Sequence, residues 1–330
     1  MSRDSVRLLG ADDAGISRGV DFLRAGQLVA FPTETVYGLG ADAANAEAVN
    51  RVFAAKGRPT NHPLIVHISG ASELGRWSTT KSPVAHLLAT TFWPGPLTLL
   101  VPRSDLVASE TVGGRTMVGL RVPDHPVALE LLHQFDSGIA APSANRFGGI
   151  SPTTAAHVVD DLGSSIAGVI DGGACHVGVE STIVEVSDEA VTLLRPGAIT
   201  TGMIEELLGP DVRVVDGTAG PSMAPGMLES HYAPTKVTQL VTEAELFEVL
   251  CTKMISGKRV GVIAPFEVDH EQSWALPPDV EGYARNLYSC LRLADESSGT
   301  DELIVVTPNE QTSSDALYVA VLDRLTKASS

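Results

Sequence analysis

The chain has 330 residues, 44% of them apolar and 19% charged, with 31 Gly and 20 Pro. That is room for two ordinary cores, since a domain takes roughly 100–200 residues. No run approaches the eighteen or so consecutive apolar residues of a membrane span. The three cysteines, Cys175, Cys251 and Cys290, lie far apart and form no CxxC pair, so neither a disulfide framework nor a zinc site is suggested. With 40 acidic against 23 basic side chains the net charge is −17, which disfavours a protein whose main business is coating phosphate backbones. The N-terminal residues alternate in charge and lack the basic-then-apolar layout of a secretory signal, so a soluble, cytoplasmic protein is expected.

In chain order, Gln27 to Phe31 reads as a short buried strand running into the polar turn Pro32-Thr33-Glu34-Thr35. Asn45 is a good N-cap, and Ala48, Val49, Val52 and Phe53 repeat at helical spacing until Gly57 and Pro59 stop the helix, which leaves Lys56 and Arg58 at its C-terminal end. Leu64 to Ile68, Leu97 to Val101, Met117 to Val122 and Gly138 to Ala141 read as strands, with helices over Val84 to Phe92 and His125 to Phe135. Ser151-Pro152 resembles a helix start, closed at Gly163. Strands over Val169 to Asp171, Ser181 to Val186 and Val191 to Leu194 complete an α/β domain over residues 1–208.

From Gly209 to Pro234 the periodicity lapses into Gly, Pro, Ser and Met, the composition of a linker. Beyond it, strands at Lys236 to Val241, Arg259 to Ala264 and Leu303 to Thr307 alternate with helices at Glu243 to Ile255, Asp279 to Leu293 and Ala316 to Lys327. That alternation predicts a small open parallel sheet over residues 235–330, without the GxGxxG turn of a dinucleotide site.

No GxxxxGK[ST], HExxH or GxSxG motif is present. Polar groups instead gather where loops follow strands: Thr33-Glu34-Thr35, Lys56-Gly57-Arg58, Ser143-Ala144-Asn145, Ser151-Pro152-Thr153 and Glu180-Ser181-Thr182, with Arg121 and Arg195 at strand ends. Gathered into one cleft, they would share the charges of a polyphosphate. Taken singly, each has a plainer role: a Lys at a helix C-terminus suits the dipole, and Ser or Asn after a strand is turn chemistry.

Phe31-Pro32-Thr33-Glu34-Thr35-Val36-Tyr37-Gly38-Leu39-Gly40, Lys56-Gly57-Arg58-Pro59 with Asn61-His62-Pro63-Leu64, Trp93-Pro94-Gly95-Pro96, Ala141-Pro142-Ser143-Ala144-Asn145, Gly178-Val179-Glu180-Ser181-Thr182 and Leu194-Arg195-Pro196-Gly197, in that order, resemble the YrdC-type threonylcarbamoyl-AMP synthases. Ala224-Pro225-Gly226-Met227 followed by His231-Tyr232-Ala233-Pro234 resembles the linker of the longer, two-domain members, and residues 235–330 resemble their Rossmann-like C-terminal domain. The fold implied is a twisted mixed sheet with helices, plus a small parallel α/β domain. The reaction implied joins L-threonine, bicarbonate and ATP into threonylcarbamoyl-AMP and pyrophosphate, with Mg2+ held mainly by the phosphates. Partner proteins would then transfer the threonylcarbamoyl group to tRNA.

The family's KxR and SxN groups fall on Lys56, Arg58, Ser143 and Asn145, implied to line the triphosphate and the reacting carbamate. Thr33, His67, Arg121, Ser181 and Thr182, with Ser143, match the threonine pocket. Ser151, Arg195 and Tyr232 match the nucleotide side, where Met117 stands in place of a threonine common in relatives and Tyr232 would arrive on the linker as a lid. Two other readings stay open at this point: an RNA-binding YrdC module, and a carbamoyl-adenylate-forming enzyme with a different acceptor.

Overall fold

Short apolar runs alternating with amphipathic helices build two sheets in the computed structural model, which describes residues 6–187, 189–217, 232–308 and 316–329. The first part of the chain forms β1 (Arg7–Leu9), α1 (Asp13–Arg24), β2 (Val29–Phe31), β3 (Gly38–Asp42), α2 (Ala46–Lys56), β4 (Ile65–His67), α3 (Leu74–Trp77), α4 (Pro83–Phe92), β5 (Leu97–Pro102) and β6 (Met117–Arg121). It continues with α5 (Pro126–Phe135), β7 (Ile139–Ala140), α6 (Ala155–Leu162), β8 (Gly168–Ile170), β9 (Thr182–Val186), β10 (Ala190–Arg195), α7 (Thr201–Leu208) and β11 (Arg213–Asp216). These eleven strands lie in the order β1-β8-β2-β3-β7-β4-β6-β5-β9-β10-β11, with parallel and antiparallel neighbours mixed.

Helices cover both faces of this sheet, which is why its strands read as unbroken apolar runs. The period of two is still visible in the packing: Ala30 joins the core with Val49, Val52 and Phe53 of α2, while its neighbours Val29 and Phe31 join the opposite core with Leu23 of α1 and Leu131 of α5. α2 shows the expected ends. The Asn45 side chain accepts the amides of Glu47 and Ala48, and Gly57 takes a left-handed φ of 66° that an L side chain rarely adopts.

The remaining chain forms β12 (Val237–Val241), α8 (Glu243–Ile255), β13 (Val260–Ala264), β14 (Ser273–Ala275), α9 (Val280–Glu296), β15 (Glu302–Val306) and α10 (Ala316–Ala328). Its strands are all parallel, in the order β12-β15-β13-β14. The mixed sheet and the second, parallel α/β sheet are both as expected. No helix among the described residues is long and apolar enough to cross a membrane.

α9 packs on the loop before β9. A Cβ on Gly178 would stand 2.4 Å from the Ala284 carbonyl oxygen, so the close approach requires glycine there. Polar ties accompany it: Arg285 Nε donates to the His176 carbonyl at 2.9 Å, and Arg292 pairs with Asp161 at 2.6 Å.

Two sequence expectations are corrected. The helix read from Ser151-Pro152 begins at Ala155, capped by Thr154, because the Ser151 hydroxyl is bonded to Glu180 instead. The stretch read as linker from Gly209 contains β11, which pairs in parallel with β10. Residues 218–231, including most of the quoted linker segment, lie outside the described residues.

Candidate active site

The site grows out of the ends of β4 and β6 and the loops after β2, α2 and β7. β4 and β6 run parallel with His67 opposite Arg121, which sets the two side chains on one face. After β2, the Thr33 hydroxyl accepts the amides of Thr35 and Val36 and donates to the Val36 carbonyl at 2.6 Å, so it folds its own turn. That turn presents Thr35 and Glu34 to Arg121: Nη2 donates to Thr35 Oγ1 at 2.9 Å and lies 2.6 Å from Glu34 Oε1, while Nε donates to the Gly95 carbonyl. From the C-terminus of α2, Lys56 Nζ donates to the carbonyls of Ser143 and Asn145. Arg58 Nη2 donates to the Pro63 carbonyl, and its guanidinium lies over the Phe147 ring at 5.7 Å.

These elements enclose a cavity of about 50 Å³. Of the sequence-predicted residues it is lined by Thr33, Arg58, His67, Arg121, Ser143, Arg195 and Tyr232. Lys56, Asn145, Ser151 and Ser181 stand immediately behind that lining. Asn145 Nδ2 donates to the carbonyls of Arg146 and Gly149, and its carboxamide oxygen accepts from Ser143 Oγ. Ser181 Oγ bonds Thr98 and accepts from Arg195 Nη2 at 3.0 Å. Thr182 and Met117 do not line the cavity: the Thr182 hydroxyl is spent on the backbone of Ile199 in both directions, and Met117 opens β6.

Burial shapes the charges. Lys56 is fully enclosed, and burial together with neighbouring Arg58 pushes its ammonium well below the usual lysine range. Burial and the Arg121 charge push His67 down to about 3, so its ring is neutral at pH 7. Because the unfolded imidazole titrates near 6.5, the unfolded chain binds the extra proton between pH 6.5 and 3, and stability falls as pH drops through that window. From His67 alone the loss between pH 7 and pH 5 is about 2 kcal/mol. Urea titrations at both pH values are expected to show that difference in the wild type and to show it reduced by this amount in His67→Gln.

Glu180 also lines the cavity, and its partners come from distant parts of the chain. Its Oε1 accepts from Ser151 at 2.6 Å; its Oε2 accepts from the Tyr288 hydroxyl and from Arg324 Nε, both at 2.9 Å. Burial acts to raise its pKa, but Arg324, Arg195 and Ser151 outweigh it and hold the carboxyl at about 2. Tyr232, with φ at 63°, stacks on Tyr288 and lies under the Arg324 guanidinium at 5.6 Å. One wall of the cavity is therefore held by α9 and α10. Within the quoted segments, Glu180 carried a signal of sorts; Tyr288 and Arg324 carried none.

The "Telomere recombination" family model matches residues 21–197, and the "Threonylcarbamoyl-AMP synthase, C-terminal domain" model matches residues 199–330. The threonylcarbamoyl-AMP synthase of Pyrococcus abyssi (strain GE5 / Orsay) is 41% identical over 318 residues, covering 93% of this chain and 92% of its own. That of Bacillus subtilis (strain 168) is 39% identical, covering 97% and 94%. The crystal structure of P. abyssi Sua5 complexed with L-threonine superposes with a TM-score of 0.91 at 38% identity, over 98% of this chain and 97% of that one. Escherichia coli YciO, at 21% identity and a TM-score of 0.52, shares the fold of 60% of the chain. Two domain models in tandem, and relatives matched along nearly their whole length, show that the chain belongs to the threonylcarbamoyl-AMP synthases in their two-domain form, enzymes of the nucleotidyltransferase type.

Proposed function

We propose that this protein condenses L-threonine, bicarbonate and magnesium-bound ATP into threonylcarbamoyl-AMP and pyrophosphate. The observation that carries this reading is one cavity joining two kinds of subsite. Arg121, with Nε and Nη2 anchored and Nη1 making no hydrogen bond among the described residues, fits an amino-acid carboxylate beside the neutral ring of His67. Arg58, backed by Lys56 and with Arg195 on the same cavity wall, fits a triphosphate.

The threonine amine adds to the carbon of bicarbonate with loss of water, and the resulting carbamate oxygen attacks the α-phosphorus, so that the bond to the pyrophosphate oxygen breaks. Lys56 and Arg58 meet the charge that develops on the leaving group, an electrostatic rather than nucleophilic role. Among the described residues no three His, Cys, Asp or Glu stand together as a metal cage. The magnesium is accordingly assigned to the substrate, arriving on the phosphates with its own water.

A volume of about 50 Å³ holds a few waters. Tyr232, which lines the cavity at the end of residues 209–234, is assigned to a lid that excludes water from the hydrolysable adenylate. The product is assigned to transfer proteins that act on tRNA, the net charge of −17 favouring an indirect role in tRNA modification.

The test is pyrophosphate release by the purified protein with magnesium, with threonine and bicarbonate each supplied or withheld, and with the product identified by mass spectrometry. Release that requires both, with threonylcarbamoyl-AMP formed, is expected. Release indifferent to threonine sinks the substrate assignment. A salt-sensitive shift of tRNA without ATP favours the RNA-binding module instead.

A further inference from the structure

The cations of the cavity differ in how their charge is met. Among the described residues no carboxylate lies within ion-pair distance of Lys56 or Arg58; the acceptors bonded there are neutral, the carbonyls of Ser143, Asn145 and Pro63 and the Asn145 carboxamide oxygen. Arg121 has Glu34 Oε1 at 2.6 Å, and the Glu34 side chain is 1% exposed. Neither carboxylate oxygen of Glu34 makes a hydrogen bond. The plane of the guanidinium is set instead by the Gly95 carbonyl on Nε and by Thr35 Oγ1 on Nη2. Glu34 thus supplies little orientation, and what it does supply is a negative charge in a site shielded from water.

We propose that Glu34 determines specificity by cancelling the charge of Arg121, so that this end of the cavity accepts a zwitterionic amino acid and refuses a phosphate. This rests on the functional reading above. A zwitterion adds no net charge beside a neutral Arg121–Glu34 pair, so its carboxylate meets the guanidinium without building up negative charge. A phosphate or pyrophosphate placed there would bring several uncompensated negative charges against Glu34, whereas at Lys56 and Arg58 no carboxylate stands at ion-pair distance among the described residues. The two ends are thereby sorted by charge before any shape is read. Without Glu34, both ends would attract phosphate, and the released pyrophosphate would compete for the threonine end.

The experiment is calorimetric titration of the full-length protein, without nucleotide, with L-threonine and with inorganic pyrophosphate, singly and in competition, on wild type, Glu34→Gln and Glu34→Asp. In the wild type, pyrophosphate is expected to bind without displacing threonine. In Glu34→Gln, pyrophosphate is expected to gain about tenfold in affinity or a second equivalent, and to displace threonine. Glu34→Asp keeps the charge and is expected to behave as the wild type. Pyrophosphate that leaves threonine in place in folded Glu34→Gln overturns the proposal, and so does Glu34→Asp behaving like Glu34→Gln. If Glu34→Gln does not fold, the wild type decides: displacement of threonine by pyrophosphate there overturns it as well. A wild type that binds pyrophosphate but gives no heat with threonine fails the functional reading instead, and the pyrophosphate stoichiometry of Glu34→Gln still reports the charge assignment.

Discussion

Lys56→Ala and Arg58→Ala are each expected to lower threonylcarbamoyl-AMP formation by about 10²–10³-fold or more, the scale of removing one preorganised donor from a developing charge. Both residues lack an acidic neighbour at ion-pair distance among the described residues, so neither is paired with a carboxylate before substrate arrives. Burial drives Lys56 well below its usual range and Arg58 down to about 10. A buried cation held at such cost gains most from an anion that comes and goes. Arg58→Lys is expected to recover little, since an ammonium cannot reproduce a guanidinium that bonds the Pro63 carbonyl through one edge and faces Phe147. Threonine binding at Arg121 is expected to survive in all three variants. Steady-state pyrophosphate release and threonine titration check this together, and near-normal turnover in Lys56→Ala or Arg58→Ala removes that residue from the site.

What could be read from the sequence was what local chemistry decides. The ends of α2 are fixed by Asn45 and Gly57 within a turn of the helix itself, and the alternation of strand and helix after residue 235 needs only nearest neighbours. The segments that gather at the cavity were legible as a set, because their order along the chain is specific even where each residue alone is not. The failures are long-range. Ser151 looks like a helix cap until its hydroxyl finds Glu180, 29 residues on. β11 is four residues that become a strand only because β10 offers its edge. The Thr182 hydroxyl, off the cavity lining, is bonded in both directions to the backbone of Ile199, 17 residues on. Glu34 stands in the turn after β2, but its partner Arg121 comes from the end of β6, 87 residues on and four places away in the sheet order. Arg324 had no signal, because an arginine on an amphipathic helix normally reads as a solvated face.

Arg324→Ala is expected to lower the unfolding free energy by about 3–5 kcal/mol, the cost of leaving one member of a buried ion pair uncompensated. Arg324 is wholly buried on α10; besides Glu180 Oε2 it bonds the Glu180 and Pro196 carbonyls and pairs with Asp323 at 2.6 Å. Its removal leaves the buried Glu180 carboxylate with the hydroxyls of Ser151 and Tyr288. Activity is expected to fall with stability, because the same carboxylate borders the cavity and Tyr232 lies under the same guanidinium. The pH dependence separates this from ordinary loss of packing. With its folded pKa held at about 2, Glu180 contributes stability that is present above the ordinary carboxylate range and lost as pH falls from near 4.5 toward 2. Arg324→Ala raises that pKa, so the variant has less stability to lose across the same window. Denaturant titrations at pH 7 and pH 3 are therefore expected to show wild type and variant far apart at pH 7 and closer at pH 3. A gap that stays constant between the two pH values means that Arg324 acts through packing and not through the Glu180 charge.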